Sequence, residues 1–83
     1  MEPMKFQSAA RPVEVMQLTT ENWWEVARWC DGKTVGANTV LYVTTSLGHR
    51  PAYAGDYIIR DEWGEFLPRP KEAFHNFYEE VPQ

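Results

Sequence analysis

Only one stretch of this sequence is long enough for a full helix and repeats its apolar residues at helical spacing. Trp23, Val26, Ala27 and Cys30 fall at i, i+3, i+4 and i+7, a stripe that buries one side of a helix. Thr20 is a suitable N-cap, and Glu21 suits the positive end of the helix dipole. Asp31-Gly32 ends the run, with Gly32 expected at the left-handed C′ position. The spacing predicts a main helix over about 20–30, with Trp24 on one shoulder of the core stripe and Trp29 on the other.

Most of the remaining chain reads as short strands and turns. Pro12–Leu18 has a period of two. Lys33–Gly36 is a short strand, and Ala37-Asn38 is turn-like. Thr39–Thr45 is β-branched and aromatic and apolar on both faces, which predicts a central strand. His49–Ala54 contains Pro51 and belongs at a sheet edge. Ala54-Gly55-Asp56 turns the chain into the strand Tyr57-Ile58-Ile59-Arg60. Asp61-Glu62-Trp63-Gly64 has Asp first and Gly fourth, the type I turn preference. A hairpin follows, with Glu62 and Trp63 at its tip and Glu65–Pro68 pairing back. Lys71–Tyr78 predicts a short helix with Phe74, Phe77 and Tyr78 on its apolar side, and Glu79–Pro82 a trailing extended segment. The first ten residues show no period and read as a flexible arm.

Eighty-three residues suffice for one domain, and 43% hydrophobic content is too high for a disordered chain. The expectation is an α+β domain over 11–83. It has a small mixed or antiparallel sheet of four to six strands, the main helix, and a short C-terminal helix at about 71–78.

Charge and motif exclude several functions. The net charge is −4, and the basic residues are scattered, so DNA is not an expected partner. Asp56, Asp61, Glu62, Glu65, Glu72, Glu79 and Glu80 crowd the C-terminal half, forming a solvated acidic face or a surface for a basic partner. One cysteine permits no internal disulfide and falls short of a zinc site. No apolar run suits a signal peptide or a membrane span, so the cytoplasm is the expected compartment. Cys30 lies on the core stripe, where a thiol behaves as a small hydrophobe, and His49 and His75 lie on different elements. There is no metal-ligand spacing and no phosphate-cradling glycine loop. Catalytic residues, a metal and a cofactor are all expected to be absent.

The tryptophans are the strongest remaining signal. Trp23 is core by periodicity and Trp29 a half-buried flank. Trp24 and Trp63 are harder to explain by packing: either they fold over neighbouring elements, or they anchor a partner. Trp24, Trp63, Glu62 and Tyr57 are the candidate partner-binding residues.

At Ala54-Gly55-Asp56-Tyr57-Ile58-Ile59-Arg60, followed by Gly64-Glu65-Phe66 and Pro68, the chain resembles a family of small proteins encoded by tailed phages and prophages. Their pattern is P-G-D-Y-I-I-R-G, with Trp as an alternative to Tyr, then K-G-E-F-Y-P-C-K-P-D-I-F and a final T-Y-E. Arg11-Pro12-Val13, Glu25-Val26-Ala27, Trp29-Cys30, Gly32, Phe74, Tyr78 and Glu79 extend the likeness over roughly residues 11–80. Ala54 stands where proline is usual, Asp61 replaces a glycine, and Arg69 replaces a cysteine. Trp24 and Trp63 stand where the family usually carries a charged residue.

The resemblance implies a phage-encoded small α+β protein; it does not imply an enzyme, and it carries over no site residues. The leading expectation is a non-enzymatic binding protein acting on a host or phage protein in the host bacterial cytoplasm, inhibition of a host defence system being one form. A virion-associated accessory protein is the alternative, with the arm reaching a neighbouring subunit. A third is a small-molecule or nucleotide binder using Tyr42, Tyr53, Tyr57 and Trp63 for stacking and Arg50, Arg60 or Arg69 for phosphate. No membrane partner is expected, and a homo-oligomer is compatible with the sequence.

Overall fold

The computed structural model describes residues 3–8, 11–37, 39–74 and 79–80. Along the chain the elements are β1 (Met4–Ser8), β2 (Arg11–Gln17), α1 (Trp23–Cys30), β3 (Lys33–Val35), β4 (Val40–Thr45), β5 (Gly48–Ala52), β6 (Tyr57–Arg60), β7 (Phe66–Arg69), α2 (Lys71–Phe74) and β8 (Glu79–Glu80). The fold is α+β, and its strands divide between two antiparallel sheets. The larger runs β7-β6-β2-β1-β8, the smaller β3-β4-β5. Phe77 and Tyr78, expected on the second helix, lie outside the described residues, as does His75.

The N-terminal segment departs from the expected loose arm. Met4–Ser8 pairs with β2 along its whole length, from Met4 opposite Val15 to Ser8 opposite Arg11. Its alternation of Met4 and Phe6 with Lys5 and Gln7 is a short period-two signal that fits a strand.

The register of the larger sheet sorts its apolar residues onto both faces. Val15 lies opposite Ile59, and Met16 opposite Ile58. Because side chains alternate along a strand, Met16 and Ile58 share one face and Val15 and Ile59 the other. On the first face, Met16, Leu18 and Ile58 pack with the α1 stripe (Trp23, Val26, Ala27, Cys30) and with Leu41, Val43 and Ala52 of the small sheet. On the second, Val13, Val15 and Ile59 pack with Phe74 of α2. The larger sheet is therefore sandwiched between α1 with the small sheet on one side and α2 on the other.

Helix α1 starts later than its sequence signals suggest. Thr20 is not the cap; it sits in a turn over residues 20–22 that delays the helix to Trp23. Buried Asn22 organises that turn. Its Oδ1 accepts from the backbone N–H (2.8 Å) and the hydroxyl (3.0 Å) of Thr19, and its Nδ2 donates to the Gln17 carbonyl at 2.8 Å. At the other end the left-handed residue is Asp31 (φ 53°), not Gly32. Asp31 donates to the Arg28 carbonyl and Gly32 to the Ala27 carbonyl, the Schellman pair with Asp31 at C′.

Strand β4 is central in its sheet, yet among the described residues only one of its faces is covered. Leu41 and Val43 are buried, while Tyr42 and Thr44 face outward. The Pro51 strand, β5, is an edge, as proline requires. The β3–β4 connection holds Gly36 (φ 64°) and Ala37 (φ 48°) in left-handed conformations. The Cβ of Ala37 makes that costly, whereas glycine takes it freely. Ala37→Gly should therefore stabilise the chain by about 0.5–1 kcal/mol, net of the extra freedom it gives the unfolded state. Thermal melts should show a rise of roughly 2–8 °C; an unchanged or lower midpoint would show that the turn relaxes around alanine.

Candidate partner-binding surface

The two shoulders of α1 are equivalent on a helical wheel, each about 110° from the stripe centre, yet they meet different surroundings. Trp29 lies on the side where β7 runs. Its ring meets Phe66 edge-on, with centroids 5.0 Å apart and planes at 82°. Among the described residues Trp24 has no comparable cover and remains 59% exposed, whereas Trp23, one residue earlier, is 1% exposed. The Trp23 indole N–H donates to the Thr34 hydroxyl at 2.9 Å, so even its polar atom is satisfied inside.

Trp63 is 72% exposed at the tip of the β6–β7 hairpin, with Glu62 exposed beside it. The tip is closely braced. One carboxylate oxygen of Asp61 accepts from the backbone N–H groups of both Trp63 and Glu65, each at 2.9 Å. Asp61 N–H donates to the Glu65 carbonyl at 2.9 Å, and Gly64 N–H to the Asp61 carbonyl at 3.1 Å. Gly64 has φ 81°, as the left-handed position after a type I turn demands. A braced turn presents its indole with little ordering cost on binding.

Tyr57, the fourth candidate, is not an open anchor. Its ring stacks on Phe74, with centroids 4.1 Å apart and planes at 13°, at the flank of the second core cluster. Three candidates thus lie exposed on two elements, Trp24 on α1 and Glu62 with Trp63 on the hairpin tip. The sequence reading missed Leu47, 79% exposed at the β4–β5 turn. It also missed the open outer face of the small sheet, because it took β4 as covered on both sides.

Other residues weighed for chemistry are dispersed. Cys30 is buried under the small sheet, its thiol donating to the Ala27 carbonyl at 3.9 Å. His49 lies on the opposite face of that sheet, 3.4 Å from the Thr44 hydroxyl. Arg60 pairs with Glu14 at 3.1 Å on the surface. Among the described residues no group of three or more His, Cys, Asp or Glu is placed to hold a metal ion. Nor is any helix there long and apolar enough to cross a membrane.

Burial pushes the Cys30 thiol up from 9.0 to about 11. The unfolded thiol ionises near pH 9, the folded one only near pH 11, so ionisation favours the unfolded chain between those values. Its contribution to stability is complete below pH 9 and is lost as pH rises toward 11. The unfolding free energy from urea titrations should therefore fall from pH 8.5 to pH 10.5 by about 1–2 kcal/mol more in the parent chain than in Cys30→Ala. Parallel slopes would place the thiol in contact with water.

Comparison with protein-family models, with curated proteins and with solved structures found no match to this chain.

Proposed function

We propose that this chain is a non-enzymatic binding protein that uses the Trp63 hairpin tip to anchor a protein partner. The observation that carries the reading is the contrast among tryptophans: Trp23 and Trp29 are packed, while Trp63 is held out on a turn braced by Asp61. A large exposed indole on a pre-organised loop is the side chain most often found at the energetic centre of a protein interface. Glu62 and Glu65 give the tip an acidic rim, which favours a basic or polar collar around the pocket that receives it. The resemblance to small tailed-phage proteins supports the cytoplasm of an infected bacterium as the setting and a host or phage protein as the partner.

The test is capture from host lysate followed by titration of the identified partner against Trp63→Ala. Affinity should fall at least about 30-fold, the loss expected of an interface hot spot. The midpoint of thermal unfolding should stay within about 4 °C, because an exposed side chain contributes little to stability. A variant that binds as the parent does sinks the anchor assignment.

A further inference from the structure

The outer face of β3–β4–β5 differs in character from the rest of the molecule. Cross-strand register places Lys33, Tyr42 and Pro51 in one row, Val35 beside Val40 in a second, and Thr44 beside His49 in a third. These positions point away from buried Leu41 and Val43, and Val35 is 51% and Tyr42 36% exposed. The face thus offers a tyrosine and a proline ring, two valines and one ammonium group. The stretch 32–55 that forms this sheet contains none of the twelve acidic residues and two of the eight basic ones, Lys33 and Arg50. It carries a formal +2, while the remaining six basic and twelve acidic residues carry −6.

We propose that this face receives the hairpin tip of a second copy of the chain, Trp63 lying on the Tyr42–Pro51 surface with Glu62 or Glu65 toward Lys33. The argument is complementarity between two surfaces on one molecule. The tip is acidic and ends in an indole; the face is free of acidic side chains, apolar, and bordered by a cation. Tip and face belong to different sheets, so a molecule whose tip is engaged still offers its face. The contact is heterologous, and copies add head to tail. Its area is small, so association is weak, with a dissociation constant on the order of 0.1–1 mM, and salt weakens it further. The inference builds on the Trp63 reading above and names a partner for that tip. Its test uses the purified chain alone, so its failure leaves capture of a host or phage protein standing.

Sedimentation equilibrium of the full chain from about 10 µM to 1 mM should give a weight-average mass that rises with concentration. Raised salt should reverse the rise. Two double variants separate the surfaces. Lys33→Glu with Tyr42→Thr disables the face, and Trp63→Ala with Glu62→Lys disables the tip. Each alone should stay monomeric, its association constant at least tenfold lower than the parent's, with near-ultraviolet circular dichroism confirming the fold. Mixed, they should form a 1:1 dimer and stop there, because the mixture holds one working face and one working tip per pair. A parent chain that remains monomeric throughout overturns the proposal. So does either variant assembling as the parent does, or a mixture that stays monomeric.

Discussion

Trp23→Ala should leave the chain unfolded or barely folded at 37 °C, while Trp24→Ala, one position along, should melt almost where the parent does. Trp23 is 1% exposed between α1 and the small sheet, and its indole N–H donates to Thr34. Truncating a buried aromatic costs about 3–5 kcal/mol, from lost transfer energy and from the cavity left behind. Small domains have about 5–15 kcal/mol in total, and this one lies toward the lower end by size. The melting midpoint should drop by about 12 °C or more. Trp23→Phe keeps most of the ring and loses the hydrogen bond, so it should cost about 1–2 kcal/mol. Trp24→Ala should change stability by less than about 0.5 kcal/mol, since no core contact is removed. Melts followed by circular dichroism decide it. If Trp24→Ala falls as far as Trp23→Ala, the helix is rotated from the orientation described here.

This adjacent pair also shows what the sequence could and could not reveal. Helical spacing alone places Trp23 in the core, because Val26, Ala27 and Cys30 share its stripe. Spacing alone gives Trp24 and Trp29 the same angle from that stripe, so the expected difference between a half-buried Trp29 and a less easily packed Trp24 had no positional signal behind it. Only the later arrival of Phe66 on β7 covers one shoulder and leaves the other. The Trp63 tip was legible because Asp61 and Gly64 mark the turn locally, and the bonds from Asp61 and Gly64 described above span no more than five residues. The stacking of Tyr57, a candidate partner-binding residue, was not legible, because Phe74 comes from α2, seventeen residues on. The same limit applies to β4. Its residue types announce a strand, but nothing in Val40–Thr45 states that Leu41 and Val43 are buried while Tyr42 faces outward. Asn22 was missed for a different reason: asparagine is common in turns, and its burial follows only from the return of Gln17 and Thr19 around it.

Gly32→Ala and Asp31→Gly should move stability in opposite directions, although both change one residue at the end of α1. Were Gly32 the left-handed C′ residue, a side chain there would cost through backbone strain. The structure gives that conformation to Asp31 (φ 53°) and crowds Gly32 instead. A Cβ at position 32 would lie 2.8 Å from Leu41 Cδ1, 3.1 Å from Cys30 Sγ and 3.1 Å from the Tyr42 carbonyl oxygen. Leu41 and Cys30 are buried in the main core and the carbonyl belongs to β4, so little can move aside. Gly32→Ala should cost about 1–3 kcal/mol by overpacking. Asp31→Gly should gain up to about 1 kcal/mol by relieving the left-handed residue. The origin of the Gly32 penalty is separable by a double mutant. Leu41→Val removes the nearest clashing carbon, so combining it with Gly32→Ala should cost at least about 0.5 kcal/mol less than the two single losses added. Strict additivity would mean that Leu41 is not the source of the penalty, which would then lie with Cys30 Sγ and the Tyr42 carbonyl oxygen.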